Sequence, residues 1–385
     1  MAVSATDGYF DPTWAGSGRI TFAGDLHNPD HGSVIDQVNL TADGNLLLGG
    51  TVYVPGGDEY WWLGELQPNG TLSSAFGENN ASGRVTGCSL SSTLCTGNNG
   101  LKQFTLMPDG KIYVLTESTL SRVLPGAHSL DTAGVVGDQG VVALGYQINN
   151  VQGTLTSPAA IAQTVSGKWF VVGKGKYQAT STTFDTVLLR LNANLSLDTG
   201  FNAFTDGNGV VFSGGKVVNF GSPSAGLNAI ARDSGDFLLA AHIDTYPGSQ
   251  WFQLDTDGHF LSGFGNSGWM TAQSCPLINS RPVKADRAGR YLAVCNSGGG
   301  MQVMRFSADG HLDSTLGISG YKNVVPPTQI CAGFSLGYAA TLDSAGRILL
   351  AGICSSNNTF LVARLFGDDG SLDQSFGIGG YAYGS

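Results

Sequence analysis

Asp58, Glu59, Tyr60, Trp61 and Trp62 follow one another in the stretch GGDEYWW, the densest meeting of carboxylates and aromatic rings in the chain. Carboxylates accept hydrogen bonds from sugar hydroxyls, and a flat ring stacks on the apolar face of a pyranose, so the set suits glycan recognition. The plainer reading is a strand that points Tyr60 and Trp62 into a core and leaves only Trp61 or the acids outside. Tyr246 and Trp251, in DTYPGSQWF, repeat the aromatic part at the matching place further along, close to Asp244. The ligand-binding set expected from these stretches is Asp58, Glu59, Tyr60, Trp61, Tyr246 and Trp251, with Arg281 at the start of a later strand. If the chain is an enzyme, Asp58, Glu59 and Asp244 are its candidate acids and bases.

The stretch DLHNPDH brings His27, Asp30 and His31 close together, nitrogen and oxygen ligands that suit a metal, against the plainer reading of a solvated loop. No cofactor is expected. His259 and His311 take a turn position that Ser371 holds in the last repeat, which marks them as surface residues. The starts of the innermost strands, near Asp36, Lys102, Gln103, Asn228, Arg281, Lys284 and Tyr338, hold no repeated carboxylate pair of the kind glycoside hydrolysis uses. G-x-S-x-G, H-E-x-x-H and P-loop patterns are absent too.

The elements that must position these residues are short. From Gly337 to Gly384 the runs YAATLD, RILLAGIC, FLVARL and YAYG are separated by SAG, GDDG and glycine-rich turns. Apolar runs of this length between Gly, Asp, Asn and Ser read as antiparallel strands joined by hairpins. Four such strands cannot bury an apolar face alone, so copies must stack, as propeller blades do. A hairpin motif recurs six times, from TADGNLLLGG (41–50) to SAGRILLAGI (344–353). A second turn motif recurs seven times, from DGYFDPTWAGSGRITF (7–22) to DDGSLDQSFGIGG (368–380). The expected architecture is one all-β domain over 1–385, a six-bladed β-propeller of four-stranded blades at 35–87, 101–146, 159–220, 226–272, 281–325 and 337–384. The surplus strand, 18–23, is expected to close the ring on the last blade and cover its edge. Seven blades are the alternative, if 119–158 hides another unit.

Bulk composition narrows the partners. Gly is 57 of 385 residues, charged residues are 12% against the usual ~25%. Nineteen Lys and Arg face 29 acids, for a net charge of −10. Without a clustered basic patch there are few counterions to release, which argues against nucleic acid. No apolar run reaches the ~20 residues that span a bilayer. The N-terminus, MAVSATDGYF, has neither the basic nor the apolar region of an export signal.

The repeat, clearest in 287–384, pairs D/S-G-K/R-I-L/Y-L/V-A/G-G with L-x-R-L/F-x-x-D-G-S/H-L-D-x-S/T-F/L-G-x-x-G. In this it resembles the bacterial delta-60 repeat, found in exported proteins. The resemblance implies a β-propeller and export, and it carries no catalytic residues.

In an up-and-down blade the loops emerge alternately at two ends. The turns of one end are nearly uniform here, whereas the other end collects the variable stretches, among them 22–33, 56–62, 87–100 and 244–252. Binding residues concentrate on loops held by a rigid scaffold, so the variable end is the functional candidate. All six cysteines fall at that end; their even count, with Cys275, Cys295, Cys331 and Cys354 at matched places and Cys88 and Cys95 in one loop, favours the disulfides Cys88–Cys95, Cys275–Cys295 and Cys331–Cys354 over reduced core thiols or a metal site. Disulfides point to an extracellular, surface or periplasmic address. The expected function is an exported, monomeric binding or adhesion module for a glycan or a protein partner. The alternatives are a polysaccharide hydrolase or lyase and a structural part of a larger surface protein.

Overall fold

A computed structural model of the chain describes residues 13–16, 20, 31–77, 83–90, 97–126, 128–135, 140–148, 151–175, 185–201, 212–213, 215–218, 223–231, 237–243, 249–272, 275, 284–286, 289–297, 300–333, 335–356 and 359–384. The strands gather in two compact units, Pro12–Asn219 and Phe220–Ser385.

In the first unit, β1 (Gly32–Leu40), β2 (Leu46–Tyr53), β3 (Glu59–Leu66) and β4 (Arg84–Thr86) form an antiparallel meander, and β5 (Asn98–Asn99) adds to β3 in parallel. The next meander is β6 (Leu101–Leu106), β7 (Ile112–Thr116), β8 (Thr119–Val123) and β9 (Val141–Ala143). A smaller sheet holds β10 (Gly145–Ile148) and β11 (Val151–Thr154). The meander β12 (Thr156–Gln163), β13 (Trp169–Gly175) and β14 (Asp185–Leu191) follows. β15 (Phe212–Ser213) then returns to β10, and β16 (Gly215–Val218) completes the β12 sheet.

The second unit holds three meanders. They are β17 (Pro223–Ala231) to β20 (Trp269–Ala272) through β18 (Phe237–Ile243) and β19 (Ser249–Leu254); β21 (Lys284–Ala285) to β24 (Tyr321–Val324) through β22 (Tyr291–Ser297) and β23 (Gly300–Phe306); and β25 (Ser335–Leu342) to β28 (Tyr381–Gly384) through β26 (Ile348–Cys354) and β27 (Thr359–Leu365).

The chain is thus all-β and built of propeller blades, but the expected count of six, or seven, equal four-stranded blades is corrected. Among the described residues five sheets are four-stranded, one has five strands and one has three. The physical reason lies in two segments that depart from the repeat. The Gly/Asn-rich stretch around 145–154 closes a hairpin of its own and takes its third strand from the insertion near 212–213, which gives a small sheet rather than a blade. The linker to the second blade folds back on β3 as a fifth strand. The closing strand expected at 18–23 lies outside the described residues except Ile20, which is in no strand.

One hydrogen-bond pattern builds the uniform turns. At the β25–β26 hairpin Asp343 N donates to Arg347 O (3.0 Å) and Gly346 N to Asp343 O (3.0 Å). The Asp343 carboxylate accepts from the amides of Ala345 and Arg347, both at 2.9 Å. Gly346 sits at φ +79°, which a side chain strains, so the A-G-R order is a conformational requirement. The same pair of main-chain bonds recurs at Thr41–Asn45, Met107–Lys111, Thr164–Lys168 and Asp286–Arg290.

Behind these turns lie enclosed ion pairs. Arg122–Asp131, Arg190–Asp198, Arg305–Asp313 and Arg364–Asp373 approach to 2.5, 2.7, 2.8 and 2.8 Å, with every arginine buried. Arg290 and Arg347 add second cations to Asp313 and Asp373. Apolar strand faces close over the rest. Leu47, Trp61, Leu63, Val85, Phe104 and Val114 share one cluster, and Val294, Met301, Val303, Leu350 and Leu361 another. Each fully buried side chain of this size contributes about 1.5–3 kcal/mol.

Candidate ligand-binding surface

Burial of β3 on both faces decides what the GGDEYWW stretch presents. Its glycines, at φ +116° and +102°, form a tight turn closed by Val54 N to Asp58 O (2.9 Å), after which β3 begins at Glu59. Tyr60 and Trp61 are 5% and 0% exposed, so both rings belong to the core and offer no face to a ligand. Trp62 is buried and donates its indole N–H to Val34 O at 3.0 Å. Trp251 is also 0% exposed, its indole N–H bonded to Ser249 Oγ (2.9 Å) and its ring 5.1 Å from that of Phe306. The expectation that Tyr60, Trp61 and Trp251 stack on a ligand is corrected by this burial.

The acids remain outside. Asp58 is exposed, and Glu59 half-buried. Asp58 Oδ1 accepts from Gly97 N at 2.7 Å, and Glu59 N donates to Gly97 O at 2.9 Å. β5 then runs parallel to β3, with Glu59 opposite Asn98 and Tyr60 opposite Asn99. Two of the variable stretches, 56–62 and 87–100, are therefore fastened to each other at this corner. A Cβ at Gly100 would stand 2.7 Å from Glu59 Oε2 and 2.9 Å from Thr51 Cγ2, so a larger residue there would have to displace those side chains.

Sequence reasoning missed two neighbours. Thr51 is buried, donates to Asp36 Oδ2 (2.8 Å) and accepts from Leu101 N (3.0 Å), which fixes Asp36 beside the corner. Tyr53, 43% exposed, is the ring that faces outward, two residues before the turn and one step out of phase with buried Val52. Partial burial holds its hydroxyl above the usual phenol range, and the carboxylates of Asp36 and Glu59 push it further the same way. Asp36, Tyr53 and Glu59 thus share one electrostatic neighbourhood. Tyr53 is the last residue of β2, after a run buried on both faces from Leu47 to Val52, and its place at the strand end was the signal available in the sequence. Across from it, Lys102 and Glu117 form an ion pair, and Asn99 Oδ1 accepts from Thr116 Oγ1 and Ser118 Oγ, both at 3.3 Å.

Asp244, Tyr246, Arg281, His27 and Asp30 lie outside the described residues. His31 is described, half-buried just before β1, and no group of three metal-ligating side chains occurs among the described residues. His259 and His311 are exposed and lie beside Asp255 and Asp309 of their own turns, at 3.1 and 3.2 Å. Gln103, read as a mouth residue, instead binds the main chain of β12. Cys275–Cys295 and Cys331–Cys354 are bonded. Cys88–Cys95 lies outside the described side chains.

Two segments, 166–201 and 346–376, match a β-propeller domain of unknown function, DUF5122. No curated protein matches the sequence. Among solved structures, a quinonprotein alcohol dehydrogenase-like protein from Bacteroides thetaiotaomicron is 10% identical over 92% of this chain and 68% of its own, with a TM-score of 0.47. A PL25 ulvan lyase is 10% identical over 87% of this chain and 79% of its own, TM-score 0.46. PorZ, a surface component of the type-IX secretion system of Porphyromonas gingivalis, is 11% identical over 88% and 41%, TM-score 0.43. Likenesses at this level carry no assignment of activity. The matched repeats and the strand order agree on one point: the chain is made of β-propeller blades.

Proposed function

We propose that the chain is an exported binding module that takes a glycan on the corner formed by Asp36, Tyr53, Asp58 and Glu59. The observation that carries this reading is the fastening of two variable loops to each other through Asp58 and Gly97, beside an outward-facing phenol ring whose hydroxyl feels the carboxylates of Asp36 and Glu59. Carboxylates accept from sugar hydroxyls and the ring supplies an apolar platform. Two enclosed disulfides support an oxidising, extracellular or periplasmic setting. A glycan array probed with the wild type, Tyr53→Ala and Asp58→Asn tests the reading. Binding to a polysaccharide class that both substitutions weaken at least tenfold, without release of reducing ends, is the expected result. Turnover lost in Asp58→Asn would replace the binder with a polysaccharide-active enzyme, and a wild type blind to every glycan would sink the ligand class.

A further inference from the structure

Adjacent blades are tied at their turns by a repeated main-chain hydrogen bond. Gly265 N donates to Asp309 O at 2.7 Å and Gly317 N to Asp369 O at 2.8 Å, and Ala15 N makes the same bond to Asn69 O at 2.8 Å. In each case the acceptor is a carbonyl in a β-turn beside the next strand pair, and a carbonyl does not titrate. One tie is built differently. Gly77 N, at the equivalent position after β3, donates to Nδ1 of His128, at 3.2 Å.

A backbone N–H can only donate, so Nδ1 must carry a bare lone pair and the ring proton must sit on Nε2. The ring is enclosed as well as bonded. His128 is 7% exposed and packs at 4.1 Å from the ring of Phe76, which is itself buried. The backbone holds His128 at φ +46°, so the chain bends specifically to deliver this side chain. A second proton would set an N–H of the imidazolium against the N–H of Gly77 and place a charge beside a phenyl ring.

We propose that His128 is a proton-operated latch: neutral, it ties the Phe76–Gly77 turn to the second blade, and protonated, it lets that turn go. One of the two sheets it joins, β1 to β5, carries the corner where Asp58 and Gly97 meet. Burial pushes the imidazole below its ordinary value, while the carboxylate of Glu65, on β3, works against that shift. Glu65 is itself engaged by Asn45 Nδ2 at 3.0 Å. The charged groups on the latch's own hairpin, Arg122 and Asp131, satisfy each other. With its folded value depressed, His128 contributes stability that is complete above the ordinary histidine value of ~6.5 and drains away as the pH falls through the folded value.

Amide hydrogen exchange, corrected for the intrinsic pH dependence, tests the latch at single residues. Between pH 7.5 and 5, protection at Gly77 should fall about tenfold, the size expected for losing one hydrogen bond of about 1 kcal/mol or slightly more. Protection at Gly265 and Gly317, tied to carbonyls, should stay level. His128→Asn keeps an acceptor, tolerates positive φ and does not titrate, so its Gly77 protection should be flat across the same range. A wild-type Gly77 that tracks Gly265 and Gly317 overturns the proposal without any variant, and so does an asparagine variant that still opens in acid.

Discussion

At the scale of single residues, the most informative pattern is an absence shared by two positions. Four blades place arginine on the third strand and aspartate in the turn that follows, at Arg122/Asp131, Arg190/Asp198, Arg305/Asp313 and Arg364/Asp373. In two further sheets the main-chain bond between the same positions persists, from Ser73 N to Glu65 O and from Leu261 N to Gln253 O. There the arginine and the aspartate are both missing. Neither charge occurs without the other, as expected when a lone buried charge costs far more than a pair repays. Asp373→Asn should therefore lower unfolding free energy by about 3 kcal/mol, since Arg364 is fully enclosed. Arg364→Gln with Asp373→Leu, the combination the chain itself uses at 253 and 261, should restore more than half of that loss in urea titrations. A double variant no more stable than the single one would show that the charges are not the reason for the pattern.

The same pairs set the acid limit. Burial raises the Asp313 pKa, but donors from the Thr315 hydroxyl and amide, with Arg305 and Arg290, outweigh it and hold the carboxyl at about 2. A folded value below the ordinary ~3.9 means this contribution is complete above about pH 4 and is lost as the pH falls towards 2. Below pH 4 the melting temperature should fall more steeply in the wild type than in Asp313→Asn. Parallel slopes in that window would remove Asp313 from the account.

At the scale of elements, strand type was legible wherever the period of two held. β26 reads Ile-Leu-Leu-Ala-Gly-Ile-Cys and alternates buried and half-buried along its length. Legibility failed where a bulge breaks that period. β1 slips between Ile35 and Gln37, and β6 between Leu101 and Gln103. Each slip turns a glutamine towards the next blade, where its amide satisfies one N–H and one C=O of the neighbouring edge strand. Gln37 binds Phe104 O and N at 2.7 and 2.9 Å, and Gln103 binds Ile161 O and N at 3.1 and 2.9 Å. Alternation alone sends Gln103 to the mouth, where the sequence reading put it, and the extra residue turns it away. The binding corner failed for a related reason. Aromatic density drew attention to Tyr60 and Trp61, whereas both faces of β2 are buried up to Val52 and only its terminal Tyr53 is exposed. Gln103→Leu should leave the Ile161 amide and carbonyl unsatisfied and cost about 2 kcal/mol, with faster exchange at the Ile161 amide. Unchanged exchange there would mean that water takes over both groups.

At the scale of the whole molecule, the described covalent links have a consequence for the unit that holds them. Both described disulfides lie in Phe220–Ser385, closing loops of 20 and 23 residues. Each sits in an apolar cluster or at its margin, with Cys275 and Cys295 packed among Trp251, Phe264 and Met304. Links of this span restrict the unfolded chain and contribute roughly 3 kcal/mol apiece. In the Pro12–Asn219 unit the described packing gathers around Trp61 and Trp169 and is joined by the glutamine ties. Replacing Cys331 and Cys354 by alanine should therefore lower exchange protection along β23, β26 and β27, and shift the melting of that unit down by roughly 6–12 °C. Protection along β7 and β13 should stay as it was, because none of their described packing partners belongs to the disulfide clusters. An equal loss in both sets of strands would mean that the chain melts as one cooperative body and that the links stabilise all of it.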